Sequence, residues 1–224
     1  MRSRLFGMRL PLAIFVLTVL AFVMVGSIIM QLTLMSNLVD ANWLCLREKF
    51  LKLNFPKSWH AEKGSIDRNG TVYIVNLFSD DYKTILHFEF YSEEATRSFM
   101  ENNNLTQVSS VPEFDAREVY SWVSRQNSNA TYDVISVDPD LSNFIENWAS
   151  VRGYKVYCFF IRIRNAYTIN NVSHNATGLF LSSMIDQKLI KVIFYGEESS
   201  WSENQEKFRK ILNSTEIFMD KWYV

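Results

Sequence analysis

The side chains that could carry catalytic or metal chemistry are few and far apart in this sequence. It contains three histidines, His60, His87 and His174, and their spacing fits no zinc-binding pattern. His87 and Glu89 alternate along a predicted strand, so the two side chains can share one face of a sheet. An ordinary sheet position explains both residues more simply, and His174 is predicted to be solvated in a polar loop. We therefore expect no metal site.

The acidic pairs are explained by turns of the chain. Asp80-Asp81 and Asp138-Pro139-Asp140 could bind Ca²⁺ weakly, but neither has the spaced ligands of an EF-hand loop. No nucleophile elbow, glycine-rich phosphate loop or zinc-protease motif occurs in the sequence. With only seven glycines, a nucleotide cradle is also disfavoured. We expect a protein that is not an enzyme and carries no cofactor, with an anchored hydrolase as the least favoured alternative.

The composition of this 224-residue chain is that of a folded protein that does not bind nucleic acid. Apolar residues make up 48% of the chain and aromatic residues 15%, which argues against disorder. The formal net charge of −1 predicts no nucleic-acid partner. Cys45 and Cys158 supply no disulfide framework, and two isolated thiols are the preferred interpretation, although an exported domain could pair them.

The start of the chain has the pattern of a membrane anchor. Arg2, Arg4 and Arg9 precede the uncharged run Leu10–Met30, and mostly apolar residues continue to Met35. A helix of about 20 apolar residues crosses a hydrocarbon core of about 30 Å. We therefore predict four segments: a cytoplasmic N-terminus at 1–9, a transmembrane anchor at 10–35, a juxtamembrane linker at 36–49 and an extracytoplasmic domain at 50–224.

The charges around the apolar run predict its orientation. Arginines on the N-terminal side, against a mixed C-terminal flank, keep the N-terminus in the cytoplasm under the positive-inside rule. We expect a single-pass protein of the cell membrane whose C-terminal domain lies outside. A cleaved signal has an apolar core of only about 7–15 residues, so a retained anchor is preferred. Val39-Asp40-Ala41 leaves cleavage open as the alternative.

Two sets of residues are predicted to lie outside the domain core. Six asparagines match the N-glycosylation pattern, and all six fall at predicted turns, loops or element ends. They are Asn69, Asn104, Asn129, Asn171, Asn175 and Asn213. The alternative explanation is that asparagine favours loops in any case. Trp222 and Tyr223, at an otherwise polar terminus, are predicted to form an exposed contact with a protein or with the membrane surface.

The rest of the chain alternates strand and helix patterns. Strands are predicted at 51–55, 71–79, 84–91, 131–137, 154–164, 178–185 and 189–196. Helices are predicted at 92–100, at 115–126 and after Ser200, the last two opened by the capping boxes Asp115-x-x-Glu118 and Ser200-x-x-Glu203. The remaining segments are predicted as a link or continued anchor helix at 42–50, a helical turn or loop at 141–152 and a polar loop at 165–177.

The order of these elements predicts the fold class. Tight turns at 80–81 and 186–187 join neighbouring strands into hairpins, which indicates a mainly antiparallel sheet. Several strands are apolar on both faces, so both faces of the sheet must be covered. The predicted fold is α+β, an α/β/α sandwich with a mainly antiparallel sheet, preceded by one transmembrane helix. Trp122 and Trp201 are assigned to the buried stripes of two covering helices.

Two segments of the chain resemble the ends of PsbP-like domains. An amphipathic strand that runs into Phe55-Pro56-x-x-Trp59 resembles the opening of this family. The last hairpin with Ile193-Phe194-Tyr195-Gly196, and the helix that carries Trp201, Phe208 and Ile211-Leu212-Asn213-Ser214, resemble its ending. The resemblance covers about residues 50–218. The family includes the photosystem II extrinsic protein PsbP, Ran-binding Mog-type proteins and bacterial envelope lipoproteins of the DcrB type.

This resemblance implies a binding or assembly role, because the known members of the family are mostly not enzymes. No Ran-binding or photosystem residues can be matched in this sequence. Together with the anchor, the resemblance leads us to expect a non-enzymatic domain that acts with a protein partner in the cell envelope. The alternative is an extracytoplasmic sensor of small ligands or ions. A pilin-like subunit is disfavoured by Pro11 and by the strand that opens the domain.

Overall fold

The computed structural model describes residues 42–66, 71–136 and 138–219. The predicted anchor at 10–35, the predicted turn at 67–70 and the contact residues Trp222 and Tyr223 lie outside these ranges. Contacts divide the chain between Trp43 and Leu44, and the fold below is that of the unit that begins at Leu44. Within the described ranges, no helix combines the length and the apolar character needed to span a bilayer.

Strands and helices alternate along the described residues. The strands are β1 (Trp43–Arg47), β2 (Leu51–Pro56), β3 (His60–Ile66), β4 (Val72–Phe78), β5 (Thr84–Tyr91), β6 (Thr131–Val134), β7 (Val156–Ile169), β8 (Val172–Ile185), β9 (Lys188–Glu197) and β10 (Glu216–Ile217). The helices are α1 (Glu93–Asn102), α2 (Val111–Gln126), α3 (Pro139–Val151) and α4 (Trp201–Ser214). Single 3₁₀ turns precede α2 and α4.

Two antiparallel sheets organise the domain. The large sheet has the strand order β3-β4-β5-β9-β8-β7-β6, and every pair of neighbours in it is antiparallel. The small sheet has the order β1-β2-β10, with β10 antiparallel to β2. The predicted α+β class and mainly antiparallel sheet are therefore confirmed, as are the β4–β5 and β8–β9 hairpins.

One face of the large sheet is covered by α1 and α2. Ala116 and Val123 of α2 pack on Ile161, Ile163 and Phe180, which lie on β7 and β8. These side chains share a face because successive residues of a strand point to opposite sides of a sheet. A second buried cluster on this face, next to α1, contains Tyr91, Ala95, Val111 and Leu189.

The opposite face of the large sheet is covered by α4 and by the chain around β2. Phe194 of β9 stacks on Phe208 with 4.7 Å between ring centroids, and it contacts Trp201 at 4.5 Å. Phe50, just before β2, lies 6.1 Å from the ring of Phe90 in β5. Both faces of the sheet are thus packed, which explains why its strands carry apolar residues on both sides.

The segment after the predicted anchor is a strand and not a continued helix. β1 occupies residues 43–47 of the predicted linker, and a hydrogen bond of 2.7 Å from Glu48 N to Leu51 O closes the turn to β2. Residues 60–66, to which the sequence pattern assigns no element, form β3. β3 pairs along β4 with a register shift between Glu62 and Ser65.

Helix α2 starts at Val111, and this earlier start overturns the capping-box interpretation of Asp115. Pro112 lies in the first turn of the helix, where a missing N–H has no helical partner to lose. Asp115 is therefore inside the helix, and its buried carboxylate accepts a hydrogen bond from Lys191. Ser200 does precede α4, but its hydroxyl donates to Glu197 O and forms no side-chain cap.

The prediction of a polar loop at 165–177 is wrong, and of the two alternatives for 141–152, a helical turn or a loop, the structure has the helix. β7 continues to Ile169 and β8 starts at Val172, so the supposed loop is a hairpin. Its asparagines suggest a loop, but asparagine also suits a hairpin turn. The second segment lies in helix α3, where the Asp138 side chain accepts from Asp140 N at 3.0 Å and caps the first turn.

Candidate functional site

The β7–β8 hairpin is the candidate site, because a polar network at its base meets exposed apolar side chains at its tip. Each strand is 14 residues long. The tip is Ile169-Asn170-Asn171-Val172, and φ is 50° at Asn170 and 62° at Asn171. Two central residues with positive φ form the turn that best matches the twist of a hairpin, and asparagine tolerates this conformation. The tip is therefore locally ordered by its own sequence.

A bulge redirects the outer half of this hairpin. The β7–β8 register shifts between Ile163 and Tyr167, and Asn165 in this interval has a φ of 52°. Asn165 N donates to Asn175 Oδ1 at 3.1 Å, and Asn127 Nδ2 donates to Asn165 O at 2.7 Å. The side-chain amides replace the ladder bonds that a bulge disrupts. The outer hairpin is thus tied to the chain that follows α2.

Charged and aromatic side chains hold the outer part of the hairpin just below its tip, and we call this part its base. Glu197 at the end of β9 is buried and accepts from Lys83 Nζ and from His174 Nδ1, both at 2.8 Å. The ring of Tyr167 stacks on His174 with 5.3 Å between centroids and 3° between planes. Glu198 accepts from Asn175 Nδ2 at 3.0 Å. We call these residues the hairpin-base network: Lys83, Tyr167, His174, Asn175, Glu197 and Glu198.

The network keeps Glu197 ionised. The hydrogen bond from Lys83 is the largest effect and, with the bond from His174, it lowers the pKa of Glu197 to about 2 in spite of burial. The same carboxylate raises the pKa of Lys83. Burial and the nearby Glu197 charge raise the pKa of Tyr167. The base of the hairpin therefore carries a negative charge on Glu197, with Lys83 as its cationic partner, across a wide pH range.

A shallow depression of about 290 Å³ opens beside this network. Its lining is polar: Ser173, His174, Asn175, Glu197, Glu198 and Ser199. Within the ranges that the structure describes, no three histidine, cysteine or acidic side chains come together as a metal site would need. The imidazole and carboxylate of the network are engaged with each other, so the arrangement is built to position the hairpin.

The tip presents apolar surface to solvent. Ile169 and Val172 form a cross-strand pair beside the turn, and they are 45% and 57% exposed. Single exposed aliphatic residues are normal, but a neighbouring pair on an ordered, projecting turn is a compact contact surface. Chemically this tip can bind another apolar surface, and it offers no nucleophile, acid or base.

A second group of charges, the buried ion network, lies on the same sheet face beneath α1 and α2. Lys191 Nζ of β9 lies 2.8 Å from Glu89 Oε2 and 2.8 Å from Asp115 Oδ1. Lys191 also lies 4.8 Å from the ring centre of Phe99, a cation–π contact. Glu89 accepts from the Tyr91 hydroxyl at 2.7 Å. One buried ammonium thus serves two carboxylates from different elements.

The network extends across the sheet through His87. Its Nε2 lies 2.8 Å from Glu89 Oε1, and its Nδ1 lies 2.6 Å from Asn76 Oδ1. Asn76 Nδ2 in turn donates to Glu62 at 2.7 Å, which fixes the orientation of the amide. Both ring nitrogens of His87 therefore face side-chain oxygens, one of Asn76 and one of Glu89. The predicted common face of His87 and Glu89 is confirmed.

Burial sets the ionisation of these groups. Burial raises the pKa of Asp115 to about 6, against the opposing charge of Lys191. Burial alone would raise the pKa of Glu89, but the hydrogen bond from His87 and the charge of Lys191 bring it well below its usual range. Burial would lower the pKa of Lys191, but Glu89 and Asp115 raise it. The ammonium therefore stays charged inside the domain.

The predicted glycosylation sites fall in different surroundings. Asn104 follows α1 and is exposed, Asn129 is exposed between α2 and β6, and Asn213 is exposed in the last turn of α4. Asn171 is exposed in the hairpin tip. Asn175 is half-buried within β8 with its amide engaged, so its expected place in a loop is wrong, and Asn69 lies outside the described residues.

Other assignments of single residues also change. His174, expected to be solvated, is half-buried against Tyr167 and Glu197. Trp122, assigned to a buried stripe, is one of the exposed large side chains, because α2 buries Ala116 and Val123 instead. Cys45 and Cys158 are free and exposed, in agreement with two isolated thiols.

The sequence analysis missed the charged residues at the centres of both networks, Glu197 and Lys191. A signal was present for Lys191. It interrupts the otherwise apolar run from Leu189 to Phe194, and a lysine inside such a strand needs a buried acidic partner. The identity of that partner, Asp115 on a distant helix, could not be read from spacing along the chain.

Of the comparisons with known proteins, the one with solved structures is the one that finds similar proteins. No family model matches the chain, and no curated protein matches it significantly. Among solved structures, it is similar to the solution structure of cyanobacterial PsbP (CyanoP) from Synechocystis sp. PCC 6803. Identity is 12% and the TM-score 0.44, over 80% of this chain and 94% of that one.

A second similar structure is a crystal structure from Bacteroides thetaiotaomicron VPI-5482. Identity is 8% and the TM-score 0.33, over 77% of this chain, which spans 47% of the Bacteroides chain. A PsbP-like protein is therefore among the structural neighbours of this domain. At these identities and TM-scores, neither likeness establishes a family or a function for this chain.

Proposed function

We propose that this chain is a membrane-anchored domain outside the cell membrane that binds a protein partner and catalyses no reaction. The anchor is the apolar run at 10–35, and the arginines before it favour an exterior domain. The observation that carries the binding role is the exposed pair Ile169 and Val172 on the ordered tip of the β7–β8 hairpin.

The hairpin suits protein recognition because it is ordered before it binds. The asparagine turn fixes the tip, and the hairpin-base network fixes the base through Glu197 and His174. A rigid contact segment loses less conformational entropy on association, so more of its contact energy appears as affinity. Small clusters of apolar anchors carry most of the energy of many interfaces. The motif resemblance to PsbP-like domains implies the same class of function.

The role can be tested by site-specific photocrosslinking in the full chain in its native membranes. A photoreactive amino acid replaces Ile169 or Val172 in two variants, and exposed Arg125 or Glu206 in two matched controls. We expect one discrete adduct of the same mass from both tip positions and none from the controls. Equal labelling at all four positions, or no adduct from the tip, would contradict a specific contact there.

The predicted exterior location has its own test. Protease added to intact cells should remove the folded domain and leave the anchor with the cells. Survival of the domain, while a known exterior protein is digested, would show that the orientation is wrong. This result would not affect the tip contact, because crosslinking reports on the domain wherever it lies.

One observation favours the alternative of a small-ligand sensor, namely the polar depression of about 290 Å³ at the base of the hairpin. A ligand there would touch His174 and Ser199 and leave the tip free. Nuclear magnetic resonance signals of the His174 ring, followed during additions of small polar metabolites, distinguish the two functions. A saturable change at His174 that persists in Ile169→Ser would favour the sensor.

A further inference from the structure

Strand β1 combines two features that rarely occur together on a free surface. It lies at the edge of the small sheet, with β2 as its one neighbour among the described strands. Its sequence is Trp-Leu-Cys-Leu-Arg, and Leu44 is 44% exposed. Because residues alternate along a strand, Leu44 and Leu46 point to the same side. An apolar edge strand is an aggregation hazard unless something covers it.

Basic residues follow this apolar strand and its neighbour β2 along the chain. Arg47 ends β1, Lys49 follows it and Lys57 follows β2. The nearby acids are occupied, since Glu48 accepts from the Tyr73 hydroxyl and Glu216 pairs with Lys52 at 2.7 Å. Among the described residues, no acid pairs with Arg47 or Lys57. Apolar side chains bordered by unpaired cations form the pattern of a segment that binds an anionic membrane surface.

The length of chain before β1 decides which surface is in reach. Leu44 follows the end of the predicted anchor, Met35, by nine residues. An extended chain spans at most about 3.4 Å per residue, so Leu44 stays within about 30 Å of the point where the anchor leaves the bilayer. A tethered group meets the surface it is tethered to at a high effective concentration. A soluble partner would have to displace that surface.

We propose that β1 docks on the outer leaflet of the bilayer that holds the anchor, and that this contact covers Leu44 and Leu46. The free edge of the strand faces the leaflet, so that the leucines on one side enter the interfacial region and the long side chain of Arg47 on the other side reaches the lipid phosphates. The docking rests on the proposed anchor. It does not use the hairpin tip, which stays free for a partner.

The position of the tip follows from the strands. Val156, at the start of β7, lines the same small cavity as Ile217 of β10, and β10 is one strand removed from β1. Ile169 lies thirteen residues farther along β7. At about 3.3 Å per residue, and with the bulge at Asn165 bending the strand, the tip is therefore at most roughly 40 Å from the β10 end of the domain. Residue 169 is the natural distal control for a probe on β1.

The experiment uses the full chain reconstituted in phosphatidylcholine vesicles with and without phosphatidylglycerol. Native Cys45 is free and exposed on β1, between the two leucines and on the opposite side of the strand. It is labelled through a flexible linker in a Cys158→Ser background, so that the fluorophore reports whether the edge of the strand meets the bilayer. The control carries the label at residue 169, as Ile169→Cys with Cys45→Ser and Cys158→Ser. Brominated lipids quench a fluorophore that contacts the bilayer. We expect several-fold stronger quenching at Cys45 than at residue 169, and more with phosphatidylglycerol than without it.

Three further variants test the residues of the contact. Leu44→Ser with Leu46→Ser should lower quenching at Cys45 to the level of the distal control. Val134→Ser, which removes a still more exposed aliphatic residue (61% against 44% for Leu44) from β6, an edge strand of the large sheet, should leave it unchanged. Arg47→Glu should remove the preference for phosphatidylglycerol.

The outcomes separate the docking from the anchor. If the chain floats with the vesicles but Cys45 is no more quenched than residue 169, the docking is wrong and the anchor stands. If the chain does not float with the vesicles, the anchor fails and the docking fails with it. Equal quenching with neutral and anionic lipid would overturn the role of Arg47 and leave an apolar contact that the two leucine substitutions can still refute.

Discussion

The two polar networks of the domain use the same kinds of side chain in opposite surroundings. In the buried ion network the cation is enclosed, since the Lys191 side chain is 6% exposed and both of its carboxylate partners are covered or nearly so. In the hairpin-base network the acid is enclosed and the cation is not, because the Lys83 side chain is 41% exposed. Water can replace Lys83 but cannot reach the site of Lys191. The first network is therefore part of the core, and the second fixes a surface element.

Both networks include a residue of strand β9, but no charged residue belongs to both. Lys191 and Glu197 lie on the same face of β9, six residues apart, with Ile193 and Tyr195 between them. Burial raises the pKa of Tyr195 to about 12, so this residue stays neutral in ordinary conditions. A spacing of about 20 Å along the strand screens most of the interaction between the networks. Each can therefore be broken separately, and the expected losses differ.

The largest difference in stability is expected between substitutions of the two lysines. Lys191→Met leaves Glu89 and Asp115 buried without a cation, which should lower the free energy of unfolding by about 3–5 kcal/mol. Lys83→Met leaves Glu197 with His174 and with access to water, so a much smaller loss is expected. Urea unfolding of the detergent-solubilised full chain measures both. Similar losses for the two variants would contradict the division into core and surface networks.

The pH dependence of stability should have opposite signs in the two networks. Burial raises the pKa of Asp115 to about 6, so the folded state binds this proton more tightly than the unfolded chain. Its contribution to stability therefore falls as pH rises from about 4 to about 6, by at most about 3 kcal/mol. The difference between wild type and Asp115→Asn isolates this contribution.

Glu197 provides the contrast. Its pKa is lowered to about 2, so its contribution is fully present above the unfolded pKa and is lost as pH falls from about 4.3 toward 2. The difference between wild type and Glu197→Gln measures it in the same unfolding experiments. If both differences change with pH in the same direction, one of the two charge assignments is wrong.

His174 and His87, one in each network, test whether each network stabilises only its own part of the fold. His174→Ala removes one hydrogen bond and the stacked ring at the hairpin base, a loss of about 1 kcal/mol. Because the hairpin tip opens locally, amide exchange from Tyr167 to Val172 should rise about five- to ten-fold while global stability changes little. His87→Ala should instead affect β4 and β5 together. Exchange that rises over the whole sheet in His174→Ala would show that the hairpin is not an independent unit.

Local patterns predicted the parts of the fold that local physics decides. Alternation along β5 placed His87 and Glu89 on one face, because the side-chain period of a strand is fixed. The turn at 186–187 followed from two residues that tolerate positive φ between apolar runs. Apolar residues on both faces of the strands required cover on both sides, and helices are found there.

The failures lie where distant contacts decide. Asp115 fits a capping pattern with Glu118, but tertiary structure extends the helix to Val111 and gives the carboxylate to Lys191. The asparagines around 165–177 suggest a loop, and only the pairing of β7 with β8 and the charge of Glu197 turn this segment into a hairpin. The candidate site was missed for the same reason, because its residues come from five separate parts of the chain: the turn before β5, strands β7, β8 and β9, and the 3₁₀ turn before α4.

The smallest difference in stability is expected between substitutions of two asparagines, each of which links a carboxylate to another group. Asn175 donates to Glu198 and accepts from Asn165 N, whereas Asn76 donates to Glu62 and faces His87. Asn175→Asp sets two carboxylates against each other at a half-buried site and should cost about 0.5–1 kcal/mol.

Asn76→Asp creates the same repulsion with Glu62, but the new carboxylate can accept a hydrogen bond from the His87 ring, whose Nδ1 lies 2.6 Å from the Asn76 side-chain oxygen. Asn76→Asp should therefore cost less than Asn175→Asp. Thermal unfolding of wild type and of both variants measures this difference. A larger loss for Asn76→Asp would mean that the His87 ring does not stabilise a carboxylate at this position.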